Sequence, residues 1–176
     1  MSSLLIQVVG FIGILFFVIS FQQKSRKGIL IFIVVGQVIF LLHFALLDAW
    51  TAVGMNFVGI ARTLVFRFRE EKKWANLRFW PLVFILLFAI AGLIARESWI
   101  GVLPVVAMSI ESIGLWKKST RILRFINLFP HPFWFTYNLI KGSWAGVASE
   151  IFVLTSVIIA IIRHDLMPEK QRNLSD

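Results

Sequence analysis

Long apolar runs alternate with short gaps along this chain, and nearly all of its eighteen Lys and Arg residues fall in every second gap. The basic gaps hold Lys24, Arg26 and Lys27, then Arg67, Arg69, Lys72, Lys73 and Arg78, then Lys117, Lys118, Arg121 and Arg124, and finally Arg163, Lys170 and Arg172. The intervening gaps carry only Asp48, the neighbours Arg96 and Glu97, and Lys141. Short loops rich in Lys and Arg stay in the cytoplasm. The alternation therefore predicts an all-α polytopic membrane protein of seven transmembrane helices, with an outside N-terminus and a cytoplasmic C-terminus.

Composition agrees. With 59% hydrophobic residues, 15% charged residues and a mean hydropathy of +0.84, a chain of 176 residues holds too much apolar surface for a soluble domain. The lipid bilayer is thus the first partner. A net charge of +9 parcelled out between spans is explained by topology and anionic headgroups. No nucleic-acid partner is expected. The absence of cysteine excludes disulfides, thiol nucleophiles and Cys-ligated metals. Met1 to Ser20 lack a basic leader and a small-residue cleavage site, so this stretch reads as a retained first span.

The spans are expected at 4–21, 29–47, 50–66, 80–95, 99–116, 122–140 and 144–162. Asp48 and Ala49 make a tight outer connection, as do Lys141 to Ser143. A weak repeat appears at an offset of 94 residues: Lys24-Ser25 falls on Lys118-Ser119, Lys27 on Arg121, His43 on Tyr137, Trp50 on Trp144, and Asn56 on Glu150. Two repeats of three spans need one extra crossing to stay parallel. The chain then reads as a single membrane domain, 1–176. It comprises a first three-helix bundle at 4–66, a linker helix at 80–95, a second bundle at 99–162 and a cytoplasmic tail at 163–176.

This layout resembles the SWEET and PQ-loop transporter superfamily, although Phe21-Gln22-Gln23 stands where a Pro-Gln pair would name that group. It is more closely similar to the YgjV family of bacterial inner membrane proteins over about residues 5–165. That likeness is carried by His43-Phe44, Leu46-Leu47, Asn56, Ile60-Ala61-Arg62-Thr63-Leu64, Leu103-Pro104-Val105, Trp144-Ala145-Gly146 and Glu150. The resemblance implies a multi-pass bacterial inner membrane protein. It also implies that Asn56 contributes to a substrate pocket, as the asparagines of SWEET-like third helices do.

Polar groups in hydrocarbon cost roughly 2.5–3.5 kcal/mol on insertion scales, so each asks for a reason. By helical rise Asn56 and Glu150 lie about 9–10 Å below the outer ends of their spans. As repeat partners they are expected to face each other, either as a solute site or as helix glue. Arg62 and Glu111 sit at similar depths. Arg62 is expected to snorkel to the inner headgroups, the alternative being an ion pair with Glu111 acting as a cytoplasmic gate. Pro130-His131-Pro132 aligns with Gly36-Gln37-Val38. Gly36, Pro130 and Pro132 are read as hinges, and His131 as a hydrogen-bonding residue or proton coupler.

Trp50, Trp80, Trp99 and Trp144 suit an aromatic belt. Trp134, Tyr137 and His43 are candidates for an outer vestibule with a stacking platform. Asp165, Glu169 and Asp176 read as a solvated end. No phosphate-cradling loop, nucleophile elbow or metal-ligand spacing is present, so neither a cofactor nor a metal is expected. The composite expectation is a carrier of an unidentified small polar solute, able to self-associate as a homo-oligomer. The alternatives are a non-transporting accessory protein and a membrane-embedded enzyme. The mark of the enzyme would be a cavity holding two carboxylates, or a histidine and a carboxylate, in contact.

Overall fold

A computed structural model describes residues 3–95 and 98–167. Arg96 and Glu97 lie outside the described residues, as do Glu169, Lys170, Arg172 and Asp176 in the tail. Every element among the described residues is helical: α1 (Ser3–Gln22), α2 (Arg26–Leu46), α3 (Trp50–Arg67), α4 (Trp80–Ala95), α5 (Val102–Trp116), α6 (Thr120–Ile126), α7 (His131–Ile140) and α8 (Trp144–Ile161), the last continued by a π-helical turn, Ile162–Leu166. Leu4–Gln22, Arg26–Leu46, Trp99–Trp116 and Trp144–Leu166 are long and apolar enough to cross a membrane, and Trp80–Ala95 is a shorter apolar helix.

The outer surface is one that only lipid would cover. Leu93 is 78% exposed, Ile94 74% and Phe57 69%, whereas a soluble fold of this size would bury such side chains. Trp50, Trp99 and Trp144 stand exposed at the end of the molecule with few charges, as headgroup-level anchors do.

The helices close into a ring in the order α1, α2, α3, α5, α7, α8 and back to α1, with α6 carrying α7's path to the basic end. Helix α4 lies outside, against α3 and α5. It buries little but Phe84 and Phe88.

Local chemistry explains the ends. The hydroxyls of Ser25, Ser119 and Ser143 accept the amide protons of Gly28, Ile122 and Gly146, capping α2, α6 and α8. Helices α2 and α7 stop in the same turn. The Ala49 and Ser143 amides donate to Phe44 and Asn138 carbonyls, and those of Asp48 and Gly142 donate to Ala45 and Leu139. This pattern needs a left-handed residue just past the helix. Asp48 takes it at φ 54° and Gly142 at φ 65°.

The expected sixth span is broken rather than kinked. Helix α6 ends at Ile126 and α7 starts at His131. Pro130 and Pro132 therefore sit at the start of a helix, where a missing amide proton forfeits no intrahelical bond. Asn127 caps the end of α6, its backbone amide and its side-chain amide both donating to the Leu123 carbonyl, the latter at 2.8 Å.

Two arginines from the basic gaps are buried instead of solvated. Arg26 is 6% exposed and Arg124 1%. From the start of α2, Arg26 donates to the Leu115 and Lys117 carbonyls that end α5 and to Phe66 at the end of α3. From α6, Arg124 donates to the Phe21 and Gln23 carbonyls that end α1, and to Asp165 at 2.9 Å. A guanidinium is well matched to helix C-termini, which present unpaired carbonyls and the negative end of the dipole. Asp165 is correspondingly not part of a solvated tail; its side chain is 6% exposed. At the surface Glu71 receives hydrogen bonds from Lys27 and Arg67, which hold its carboxyl down to about 2, so the loop after α3 stays tied to α2 at physiological pH.

Replacing Arg124 with Leu should lower unfolding stability in detergent by about 3–5 kcal/mol, because Asp165 is left buried without its counter-charge. Adding Asp165→Asn should recover part of that loss in the same denaturation assay. Nothing lies within 4 Å of a methyl group added at Gly142. Gly142→Ala should therefore cost about 1–2 kcal/mol from backbone conformation alone, without altering helix content by circular dichroism.

Candidate functional site

The ring encloses a cavity of about 70 Å³, and each of its helices contributes to the wall. Phe17 and Phe21 come from α1, Gln37, Phe40 and Phe44 from α2, Asn56 from α3, Met108 and Glu111 from α5. Asn127 and Pro130 come from the break, His131, Trp134 and Asn138 from α7, and Ser149, Glu150 and Val153 from α8. Asn56 and Glu150 each lie six positions into their helices, about 9 Å from the sparse end.

The polar chemistry concentrates on one side. His131 Nδ1 and Glu150 Oε2 are 2.7 Å apart, with the side chains 11% and 13% exposed. His131 begins α7, so the positive end of that helix also lies beside the carboxylate. The second ring nitrogen, His131 Nε2, is buried without a partner, as is Asn138 Oδ1. Both residues line the cavity, and an unsatisfied buried group asks for a partner. Asn56 turns its amide nitrogen to the Ala52 carbonyl at 2.9 Å. Trp134 and Phe44 stack with centroids 6.1 Å apart, supplying flat faces.

Glu111 on the wall is paired with Arg62 at 2.6 Å. Arg62 does not snorkel. It is fully buried, also donates to the Met108 carbonyl and Ser112 Oγ at 3.1 Å, and lies 5.4 Å from the Phe88 ring of α4. Low-dielectric surroundings make the pair the lowest-energy solution for both charges, and α4 seals it from lipid.

The structure thus brings Asn56, Glu150, His131, Glu111, Trp134 and Pro130 to one cavity. His43 and Tyr137 are elsewhere, both fully buried. His43 bridges the Ile6 carbonyl and Ser143 Oγ, each at 2.9 Å, and so ties α1 and α2 to the start of α8. Tyr137 packs edge-on against Trp134, behind the wall. Helix α2 runs straight through Gly36, where an added Cβ would lie 2.7 Å from the Phe17 ring, so glycine here lets α1 and α2 approach.

Gln37, Asn127, Asn138 and Ser149 were not read as site residues from the sequence. A signal existed, since Asn127, His131, Trp134 and Asn138 follow helical spacing and form one polar and aromatic stripe. The break between α6 and α7 lies within that stripe, and Pro130 drew attention to backbone bending instead.

No curated protein matches the chain, and no solved structure matches it. A family model described as a bacterial inner membrane protein, Imp-YgjV, matches residues 4–168. With nearly the whole chain covered and apolar helices able to cross a bilayer, the protein belongs to the Imp-YgjV family and resides in the bacterial inner membrane.

Proposed function

We propose that the protein is a carrier of a small polar solute. In this reading α1–α3 and α5–α8 are two three-helix units of SWEET-like kind, α6 and α7 together counting as one span. They are related by an axis along the membrane normal and joined by the linker α4, with the N-terminus outside. The units rock about a site at Asn56 and Glu150, with Trp134 as the aromatic face.

The cavity walls carry the argument. Ile33, Gln37, Phe40 and Phe44 line it from α2, and at an offset of 94 residues Asn127, His131, Trp134 and Asn138 line it from the opposite side. Asn56 and Glu150 obey the same offset. So do the turns that end α2 and α7, bond for bond. The seams between units follow it too. Arg62 meets Ser112 across α3 and α5, while Ser156 Oγ donates to the Val18 carbonyl across α8 and α1 at 2.8 Å. The Phe21 and Gln23 carbonyls held by Arg124 are the counterparts of Leu115 and Lys117 held by Arg26. Two equivalent halves around one polar cavity are the arrangement that alternating access uses.

Both ends of the cavity are tied in this state. Arg26 and Arg124 close the basic end at both seams. His43 with Ser143, and Gln7 accepting the Ala145 amide at 2.9 Å, tie the other end at the α1–α8 seam. Each set is a gate that must release in turn. Glu111 and Arg62 belong to the α3–α5 seam near the basic end.

An accessory protein would have a dry interior with its polar groups satisfied, which His131 Nε2 and Asn138 Oδ1 do not fit. The His131–Glu150 contact also favours a second reading, a membrane-embedded enzyme using the pair for proton transfer. The two differ in outcome: a carrier returns its solute unchanged, whereas an enzyme yields a product visible by mass spectrometry.

Thermal unfolding of the detergent-purified protein against sugars, nucleosides, amino acids and cations tests the site. A ligand at a hundredfold excess over its dissociation constant should stabilise the wild type by about 2.7 kcal/mol, and Asn56→Ala with Glu150→Gln should abolish the shift. A shift that survives in the double variant, or none with any compound, would overturn the carrier reading.

A further inference from the structure

We propose that the cavity binds a small monovalent cation carrying N–H donors, of guanidinium or alkylammonium type, and exchanges it for one proton held at His131 Nε2. The inference rests on the carrier reading for the direction of exchange, but its binding chemistry stands on the cavity alone.

Size comes first. A cavity of about 70 Å³ accepts a planar ion of four heavy atoms. Shape follows from the aromatic wall. Phe17, Phe40, Phe44 and Trp134 line the cavity, and aromatic rings attract a weakly hydrated cation through their faces.

Charge decides the rest. Among the titratable and charged groups on the wall, α5 gives Glu111, α7 gives His131 and α8 gives Glu150, while α1, α2 and α3 give only apolar or amide side chains. Glu111 is neutralised by Arg62. The His131–Glu150 pair remains. With one proton shared between Nδ1 and Oε2 the pair carries a charge of −1, and with two protons it is neutral. The cavity therefore has one positive charge to gain, either as a proton or as a cation.

Both compete for the same atom. In the singly protonated pair Nε2 holds a bare lone pair with no protein partner. Both it and Asn138 Oδ1 are buried in this state; when the cavity opens to them, Nε2 can accept one N–H of the guest and Asn138 Oδ1 a second. When a proton binds Nε2 it becomes a donor, and the guest faces a like charge and a lost acceptor. Among the described residues no group of three His or carboxylate ligands could hold a metal ion. Transfer balances without any oxidant or co-reactant. The cation enters and Nε2–H leaves, or the reverse.

The test uses full-length protein with guanidinium chloride as the probe, and with urea as a neutral molecule of nearly the same shape. Calorimetry in two buffers of different ionisation heat reads the protons released. The expected result is binding of guanidinium but not urea or potassium, with close to one proton released per ion at acidic pH. Affinity should rise with pH wherever a proton is released on binding, by about tenfold per pH unit for one proton. His131→Gln should bind more weakly, with affinity independent of pH. In proteoliposomes containing a pH dye, external guanidinium should alkalinise the lumen whether or not potassium and valinomycin clamp the voltage.

Equal binding of urea and guanidinium would overturn the cation assignment while leaving a carrier of neutral solutes standing. Guanidinium binding without proton release would overturn the exchange. If guanidinium fails and another solute binds, the cation assignment falls. If nothing binds, the carrier reading falls with it. The wild-type proton count decides these cases even if the His131 variant does not fold.

Discussion

Arg26 and Arg124 set the terms for the rest of the architecture. A guanidinium enclosed by lipid-embedded helices has no water to satisfy it, so its donors must all find protein acceptors. Each finds them at the frayed carbonyl ends of other helices, α5 and α3 for Arg26 and α1 for Arg124. Burial of these two charges is thereby linked to the packing of those helices. Arg62 meets Glu111, Ser112 and the Met108 carbonyl only where α3 and α5 pack together, and its Nε is left without a partner.

With the basic end locked by charge and the other end by the His43 and Gln7 contacts, the middle of the ring can be left imperfectly filled. The break between α6 and α7 belongs to this economy. A continuous helix would have placed a full turn of backbone where Asn127, Pro130 and His131 now border the cavity. Breaking it frees carbonyls that need partners, tolerable only because the site is enclosed by protein. It also starts a new helix at His131, whose positive end stands next to Glu150. Backbone and side chain act on the same carboxylate.

The membrane fold was legible because hydropathy and Lys/Arg placement respond directly to the bilayer, and Asn56 and Glu150 were legible because an amide and an acid stand out in apolar runs. What escaped was long-range pairing. Arg26 and Arg124 lie in gaps that topology already accounts for, so nothing in their spacing announced that they would be buried. Asp165 looked like part of a charged tail because its partner lies 41 positions away. Arg62 looked like a snorkelling residue since its position near a span end allowed that escape, and only the seam with α5 and the cover of α4 remove it. His43 and Tyr137, marked by polarity and aromaticity alone, were drawn to the site although packing placed them behind it.

The central claim is that one cavity is reached from each side of the membrane in turn. The chain contains no cysteine, so Ser149→Cys would place a single thiol on the cavity wall. Its labelling by a membrane-impermeant reagent can be timed from outside in spheroplasts and from inside in inverted vesicles. The account predicts reaction from both faces, with a bound solute slowing both and Arg124→Leu speeding the reaction from the cytoplasmic face. Labelling from one face only, or from neither while the variant remains folded, would contradict it.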